Sequence, residues 1–134
     1  MGKKDLLNFS GLSREDMFAI FDLAAELKQK LKAGIAHPLL ARRCLAMIFE
    51  KPRLRTRVTF EAGMVQLGGH AVFLGPNEVQ LGVRETPADC ARSLSRWVDI
   101  ISVRTFFQET LDEMARYATV PVINALSDES HPCQ

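Results

Sequence analysis

Short apolar runs alternate along the chain with segments in which apolar residues recur every three or four positions. The runs predict strands, and the periodic segments predict helices between them. Because strands that alternate with helices form parallel sheets, the pattern predicts an α/β fold. We expect a parallel four-stranded sheet flanked by helices on both faces, with strands over residues 44–49, 71–74, 100–103 and 120–123.

The predicted helices have recognisable first and last residues. Ser13 and Asp16 have the spacing of a capping box, and Thr86 followed by Pro87 has the N-cap and first-turn residues of a helix. The first helix carries one apolar stripe, can end at Gly34, and is interpreted as a packing element. The other helices are predicted over residues 56–67, 86–98 and 108–117.

Composition is that of an ordinary globular protein and argues against several functional classes. The chain has 134 residues, enough for one domain, with 47% apolar and 25% charged residues. Its net charge of +1 argues against nucleic acid as a partner, which usually requires a strong basic excess. No apolar run has the length of a membrane span and no signal peptide is recognisable, so we expect no membrane partner.

The cysteines and histidines do not follow a disulfide or metal-binding pattern. Cys44, Cys90 and Cys133 are odd in number and widely separated. This favours free thiols in a reducing compartment, and we therefore expect a cytoplasmic protein. The three histidines lack the spacing of metal ligands, so no metal site is predicted.

Residues 49–60 are the most distinctive segment, because the first apolar run stops there at a charged turn. Beyond the turn, Val58, Ala62 and Val65 have helical spacing and predict the apolar face of a helix. The segment therefore predicts a strand, a loop and a helix start. Free backbone N–H groups at a helix start favour an anion, and the helix dipole adds to the effect.

Basic residues surround this predicted helix start. Arg53, Arg55 and Arg57 alternate with other residues, and Thr56 adds a hydroxyl donor. The planar guanidinium group matches the oxygens of a phosphate. The segment therefore suggests a phosphate-bearing ligand, and the alternative is a solvated basic surface.

Polar residues at the ends of other strands favour the ligand hypothesis. Arg104 ends the third predicted strand, and residues 124–131 follow the fourth. Because parallel sheets bind ligands at the carboxyl ends of their strands, these residues and residues 53–57 would share one rim. Taken alone, Arg104 could be a cation at a strand end, and His131 could be a structural histidine. Glu50 and Lys51 are expected to pair locally or at the surface.

At residues 49–57, Phe-Glu-Lys-Pro-Arg-Leu-Arg-Thr-Arg resembles the phosphate-binding signature of aspartate and ornithine carbamoyltransferases, usually written Ser-Thr-Arg-Thr-Arg. The resemblance extends over essentially the whole chain and ends in His-Pro-Cys-Gln. Met-Ile-Phe-Glu-Lys, Gln-Leu-Gly-Gly-His-Ala and Val-Arg-Thr-Phe look more like the ornithine than the aspartate enzymes. The further matching segments are residues 66–71, 80–82, 91–96, 103–106 and 131–134.

The resemblance implies that residues 1–134 form an amino-terminal carbamoyl-phosphate-binding domain. It implies that Arg55 and Thr56 bind phosphate and carbonyl oxygens, and that Arg57 orients the loop through structural pairing. Thr56, Arg104 and His131 would stabilise the oxyanion that develops during carbamoyl transfer. Gln80 would reach the site of a neighbouring subunit in a homotrimer, and no metal or cofactor is required. The implied carbamoyl-phosphate contacts are Arg53, Leu54, Arg55, Thr56, Arg104, His131, Gln134 and, from the neighbouring subunit, Gln80.

Two positions depart from the signature. Arg53 replaces its serine and Leu54 replaces its first threonine. The change at Leu54 is milder, because the backbone N–H is retained. Arg53 could add charge to the phosphate site, point into solvent or obstruct the pocket, and the sequence leaves the three alternatives open.

The function implied is transfer of the carbamoyl group from carbamoyl phosphate to the side-chain amine of ornithine, giving citrulline and phosphate. This is a step of arginine biosynthesis or of urea-cycle-type metabolism. The family's second domain, which binds the amino acid, is absent from the sequence, so the isolated chain is expected to bind carbamoyl phosphate weakly without completing the reaction. The alternatives are transfer to another amine (aspartate, N-acylated ornithine or putrescine) and a truncated binding or assembly module without catalysis.

Overall fold

The computed structural model of the chain describes residues 3–133 and contains, in that range, one sheet of four parallel strands. Helices and strands alternate along the chain, which confirms the predicted α/β fold. Their bounds are α1 Arg14–Lys32, β1 Cys44–Phe49, α2 Leu54–Gln66, β2 His70–Leu74, α3 Pro87–Leu94, β3 Ile100–Arg104, α4 Gln108–Tyr117 and β4 Val122–Leu126.

The strands lie in the order β2-β1-β3-β4, so β1 pairs with both β2 and β3. The chain leaves β1 toward β2 on one side and later returns to β3 on the other. The order therefore reverses between β1 and β3. Connections that diverge in this way leave a crevice at the carboxyl ends of the two strands, where ligands bind in open α/β sheets.

Two apolar cores, one on each face of the sheet, explain why the first apolar run is unbroken. Ala46 and Ile48 of β1 belong to the core under α3 and α4. Leu45, Met47 and Phe49 belong to the core under α2. Because β1 is central and covered on both sides, all of these side chains are buried, as expected of a parallel strand. The prediction of helices on both faces is confirmed.

Helix α2 differs from its prediction in both its start and its buried face. It begins at Leu54, two residues earlier than expected. Met64 is the buried residue of the helix and Phe60 packs against the same core. Val58 and Val65 are 51% and 68% exposed, so the apolar face predicted from them is not the face that packs on the sheet. The helix has two sets of apolar residues at helical spacing. Phe60 and Met64, four residues apart, form the set that packs on the sheet.

Strand β4 lies further along the chain than predicted and includes Asn124. The side chain of Asn124 is fully buried, and its Nδ2 donates to the Leu7 carbonyl at 2.9 Å and to the Ser130 carbonyl at 3.0 Å. These hydrogen bonds compensate the burial of an amide. The prediction that the strand ends before Asn124 is therefore wrong, and Asn124 instead anchors the segment that follows the strand.

Helix α1 has the predicted start, but its apolar stripe is exposed. Ser13 Oγ accepts a hydrogen bond from the Asp16 N–H at 3.0 Å, and Asp16 Oδ2 accepts one from the Ser13 N–H at 3.2 Å. None of the helix residues is buried, and Phe18 and Phe21 expose 52% and 59% of their surfaces. The interpretation of α1 as a packing element is therefore wrong within residues 3–133, because no other element there covers the stripe.

Gly69 occupies a close approach between the α2–β2 connection and the segment before β1. A Cβ at this position would lie 2.6 Å from Met64 Cε, 2.9 Å from the Arg43 carbonyl oxygen and 3.0 Å from the Leu40 carbonyl oxygen. Two of these neighbours are backbone atoms. We therefore expect Gly69→Ala to lower the free energy of unfolding by about 1–3 kcal/mol through overpacking, measured by urea denaturation.

Gly63 provides the matched control for this substitution. A Cβ there would meet nothing within 4 Å, and the residue lies inside α2. Gly63→Ala should raise the free energy of unfolding by about 0.5–1 kcal/mol, because alanine is the better helix former. Equal changes at the two glycines would contradict the close approach assigned to Gly69.

Candidate functional site

A groove of about 1190 Å³ opens at the carboxyl ends of β1 and β3 and continues along the α2 side of the sheet. One end is polar and is formed by residues after β1, at the end of β3 and after β4. The other end is apolar, with a floor made by strand residues. The polar side chains are those of Arg53, Arg55, Thr56, Thr59, Arg104 and His131. The apolar floor includes Leu45, Ile100 and Ile123, and Met64 of α2 also lines the groove.

The start of α2 is not capped by a side chain. Arg53 is the N-cap residue, with extended backbone, and it makes no side-chain cap hydrogen bond. In α1 and α3, by contrast, the hydroxyls of Ser13 and Thr86 accept hydrogen bonds from the first turn. The first turn of α2 also lacks an acidic residue. The N–H groups and the positive end of the dipole at α2 are therefore available to an anion.

Three guanidinium groups line the polar end of the groove: those of Arg53, Arg55 and Arg104. Within the described part of the chain, no carboxylate lines the groove with them. A concave site lined by charges of one sign concentrates the field and attracts ligands of the opposite sign. The predicted gathering of basic residues at one rim is thus seen in the structure.

Arg104 is the most deeply buried of these cations, with 5% of its surface exposed. Its Nη1 lies 3.4 Å from Thr56 Oγ1 and 3.5 Å from the Ala125 carbonyl oxygen. Its Nε is buried without a hydrogen-bond partner. Burial, and then the charge of Arg53, lower the pKa of Arg104. A buried donor without an acceptor is costly, so this side chain is well prepared to bind an acceptor oxygen in the groove.

His131 lines the same groove from the segment after β4. Its Nδ1 is buried without a hydrogen-bond partner. Burial, and then the charge of Arg104, lower the pKa of His131. The imidazole is therefore neutral near pH 7, and in that form one ring nitrogen donates a hydrogen bond while the other accepts.

Glu50 holds the two rim segments together, a role that the sequence did not indicate. Its N–H donates to the Arg104 carbonyl at 2.8 Å, and its Oε2 accepts from the Phe106 N–H at 3.2 Å. Lys51 Nζ lies 4.5 Å from the centre of the Phe106 ring. Glu50 and Lys51 therefore make surface contacts, one of the two expected alternatives, with a residue that is distant in sequence. The missed signal is position, because residues that leave a central strand at the switch point meet the neighbouring strand's connection.

Arg57 is the member of the basic segment that does not line the groove. Its Nε lies 3.4 Å from Glu61 Oε1, and its guanidinium lies 3.6 Å from the centre of the Phe73 ring. These contacts hold the side chain against the outer side of α2 and β2. The structural pairing implied for Arg57 is therefore present.

The structure brings together six of the residues proposed from the resemblance, and Gln80 is not among them. Gln80 is exposed in the connection between β2 and α3 and does not line the groove. Gln134 lies outside the described residues. The remaining six line the groove, namely Arg53, Leu54, Arg55, Thr56, Arg104 and His131.

Groups outside the groove suggest no second reactive centre in the range 3–133. No cluster of three or more His, Cys, Asp or Glu side chains in this range could hold a metal ion. No helix in the same range is both long enough and apolar enough to cross a membrane. The cysteines are free, and burial, followed by the charge of Glu85, raises the pKa of the Cys90 thiol to about 11. Cys90 is therefore a protonated core residue.

A parallel α/β sheet with an uncapped helix start and clustered arginines at its switch point defines an anion-binding domain of the phosphate-ligand class. The family model described as aspartate/ornithine carbamoyltransferase, carbamoyl-P binding domain, matches residues 4–134. The chain belongs to this family.

Similar proteins and structures agree with this assignment. The chain is 53% identical over 131 residues to ornithine carbamoyltransferase of Anoxybacillus flavithermus, covering 98% of this chain and 42% of that protein. It is 53% identical over 132 residues to ornithine carbamoyltransferase of Methanocorpusculum labreanum, covering 98% and 43%. The structure of ornithine carbamoyltransferase from Pyrococcus furiosus superposes with a TM-score of 0.96 at 48% identity, covering 98% of this chain and 42% of that one. The chain thus spans less than half the length of these relatives.

The lowered pKa of His131 makes the stability of the domain depend on pH. An unfolded chain binds this proton more readily than the folded one, so the contribution of His131 is complete above the ordinary histidine pKa and is lost as the pH falls through the lower folded value. We expect the free energy of unfolding to fall between about pH 7 and pH 5, and His131→Gln to remove part of that fall. Urea denaturation across this range measures both, and superimposable pH profiles of parent and variant would contradict the assignment.

Proposed function

We propose that the chain is the carbamoyl-phosphate-binding part of an ornithine carbamoyltransferase. The whole protein would transfer the carbamoyl group to the side-chain amine of ornithine and release citrulline and phosphate, as a step of arginine biosynthesis or urea-cycle-type metabolism. The observation that carries the proposal is the cluster of Arg53, Arg55 and Arg104 at the uncapped start of α2. The ornithine enzymes among the relatives support ornithine as the acceptor.

In the proposed complex the phosphate lies at the start of α2. The N–H groups of the first turn and the guanidinium of Arg55 would bind its oxygens and stabilise the charge that grows as phosphate leaves. The carbamoyl carbonyl oxygen would lie near Thr56, Arg104 and His131. Support comes from the 3.4 Å separation of Arg104 Nη1 and Thr56 Oγ1, which places two donors at one point in the groove.

The reaction proposed needs donors in fixed positions, not a protein nucleophile. The amine nitrogen attacks the carbamoyl carbon, the C–N bond forms, and the proton that the amine loses passes to the departing phosphate. The C–O bond to phosphate then breaks, and phosphate leaves with the electron pair. Thr56, Arg104 and His131 would stabilise the intermediate oxyanion, and rigid donors of this kind lower the barrier because they need little reorganisation. Gln134 would hold the carbamoyl amide with its carbonyl and NH₂ groups.

The amino-acid substrate is proposed to bind through a second domain of the longer protein, which we place in the cytoplasm. Support comes from relatives more than twice as long as this chain and from free cysteines among the described residues. We also propose a homotrimer in which Gln80 of one copy reaches the groove of the next. An exposed Gln80 and an apolar stripe on α2, with Leu54, Val58 and Val65 at 78%, 51% and 68% exposure, support this contact.

Sedimentation equilibrium tests the assembly. The purified chain should give three times its monomer mass of 15.0 kDa, because the exposed stripe and the Gln80 connection both belong to this domain. A monomer mass over the whole accessible concentration range would contradict a trimer formed by this chain.

Isothermal titration with carbamoyl phosphate and with a bisubstrate phosphonate tests the binding function. The folded parent chain should bind both ligands, and Arg55→Ala should weaken binding at least about tenfold through loss of charge-assisted hydrogen bonds. The matched control is Arg96→Ala, which removes an exposed arginine outside the groove and should bind like the parent.

Two outcomes of this titration would contradict the proposal in different ways. Absence of heat from a folded parent chain at millimolar ligand would show that the domain lacks a working site. Equal affinity of the parent and Arg55→Ala would refute the role of Arg55 while leaving the site itself in place.

A further inference from the structure

Arg53 is the groove residue that departs most from the resemblance. The family signature has a small hydroxyl at this position, whereas this chain has a long cation. The side chain is exposed, at the edge of the groove. Arg53 is the N-cap residue of α2 and lines the polar end of the groove beside Arg55 and Arg104.

The guanidinium of Arg53 has no ion-pair partner among residues 3–133. Other arginines of the chain do have such partners, as in the pairs formed by Arg43 with Asp99 and by Arg92 with Asp89. Arg53 is close enough to Arg104 for their charges to interact, as the lowered pKa of Arg104 shows. Two like charges are thus held at one end of the groove without a carboxylate between them.

Charge balance indicates what such an arrangement can bind. Arg53, Arg55 and Arg104 carry three positive charges at the groove, and a phosphate monoester carries about two negative charges at neutral pH. A bound phosphate would turn the repulsion between Arg53 and Arg104 into attraction of both to one anion. The buried, unpartnered Nε of Arg104 independently marks this end of the groove as a place where an acceptor binds.

We propose that Arg53 is a third guanidinium contact to the phosphate of carbamoyl phosphate, taking the place of the serine hydroxyl of related enzymes. This inference rests on the proposed function. The N-cap position places the Arg53 backbone next to the free N–H groups of the first turn, so its side chain can reach the same anion from the outer side. Phosphate affinity in this protein then depends on a charge that relatives with serine lack.

Three variants test the proposal by isothermal titration with the bisubstrate phosphonate at fixed ionic strength. Arg53→Ser, which restores the signature residue, should weaken binding about tenfold, the loss expected for one charge-assisted contact. Arg53→Lys should bind within about threefold of the parent, because a cation is retained. Arg96→Ser is the matched control, since it removes an exposed arginine outside the groove, and its affinity should equal that of the parent.

Salt dependence provides a second measurement that a merely structural effect would not produce. Loss of one contacting cation should reduce the dependence of affinity on ionic strength for Arg53→Ser but not for Arg96→Ser. Circular dichroism melts confirm that each variant is folded at the titration temperature.

The direction in which affinity changes in Arg53→Ser distinguishes a phosphate contact from a solvent-exposed or an obstructing side chain. Weaker binding of Arg53→Ser with a reduced salt dependence supports the phosphate contact. Unchanged affinity would place the side chain in solvent, and tighter binding would show that Arg53 obstructs the pocket; either result overturns the inference while the binding function stands. If the folded parent binds no ligand, the proposed function fails and the inference fails with it.

Discussion

The pairing of β1 with β3 is the interaction on which the rest of the structure depends. It makes β1 a central strand that is buried on both faces, and it creates the reversal of strand order at which the groove opens. The register places Phe49 beside Arg104, and the Glu50 N–H continues the ladder to the Arg104 carbonyl. This hydrogen bond holds Arg104, at the end of β3, close to the segment that runs from β1 to the start of α2. Without this strand pairing, loops alone would not hold Arg53 and Arg104 in fixed positions relative to each other.

The same arrangement costs stability and prepares the site. Burying Arg104 with an unpartnered Nε, and placing Arg53 near it, opposes folding through desolvation and like-charge repulsion. The uncapped start of α2 has a similar effect, because a capping side chain typically contributes about 1 kcal/mol. α1 and α3 have hydroxyl caps, so the chain is able to supply them. These costs lie at one rim of the sheet, a pattern expected where a protein is organised to bind a ligand and not only to fold.

What could be predicted from the sequence depended on whether one physical effect dominated locally. β1 could be located because complete burial on both faces requires an unbroken apolar run, and α1 could be started correctly because the capping box is a local interaction. The face of α2 could not be predicted, since Phe60 and Val58 offered competing stripes and only the sheet decides between them. The end of the fourth strand was predicted wrongly because Asn124 is polar. A polar residue can lie in a buried strand when it has partners distant in sequence, such as the Leu7 carbonyl, and the local sequence does not show them. The position of the rim residues could be predicted from the topology of a parallel sheet. The contacts of Glu50 with Arg104 and Phe106 could not, because they depend on the register of β1 against β3.

The two ends of the groove arise from different features of the topology, and this bears on where the ligand lies. The apolar floor of Leu45, Ile100 and Ile123 is open because α2 covers the sheet near β1 and β2, whereas α3 and α4 lie on the opposite face. No helix of residues 3–133 covers that end of the groove. Its apolar side chains have no hydrogen-bond donor or positive charge with which to bind an anion. The polar end is open although three cations must share it, and the N–H groups of α2 point to the same place. Apolar surface favours contact with further apolar groups, whereas clustered guanidinium groups attract an anion, so the rim between Arg55 and Arg104 is the part of the groove suited to an anion.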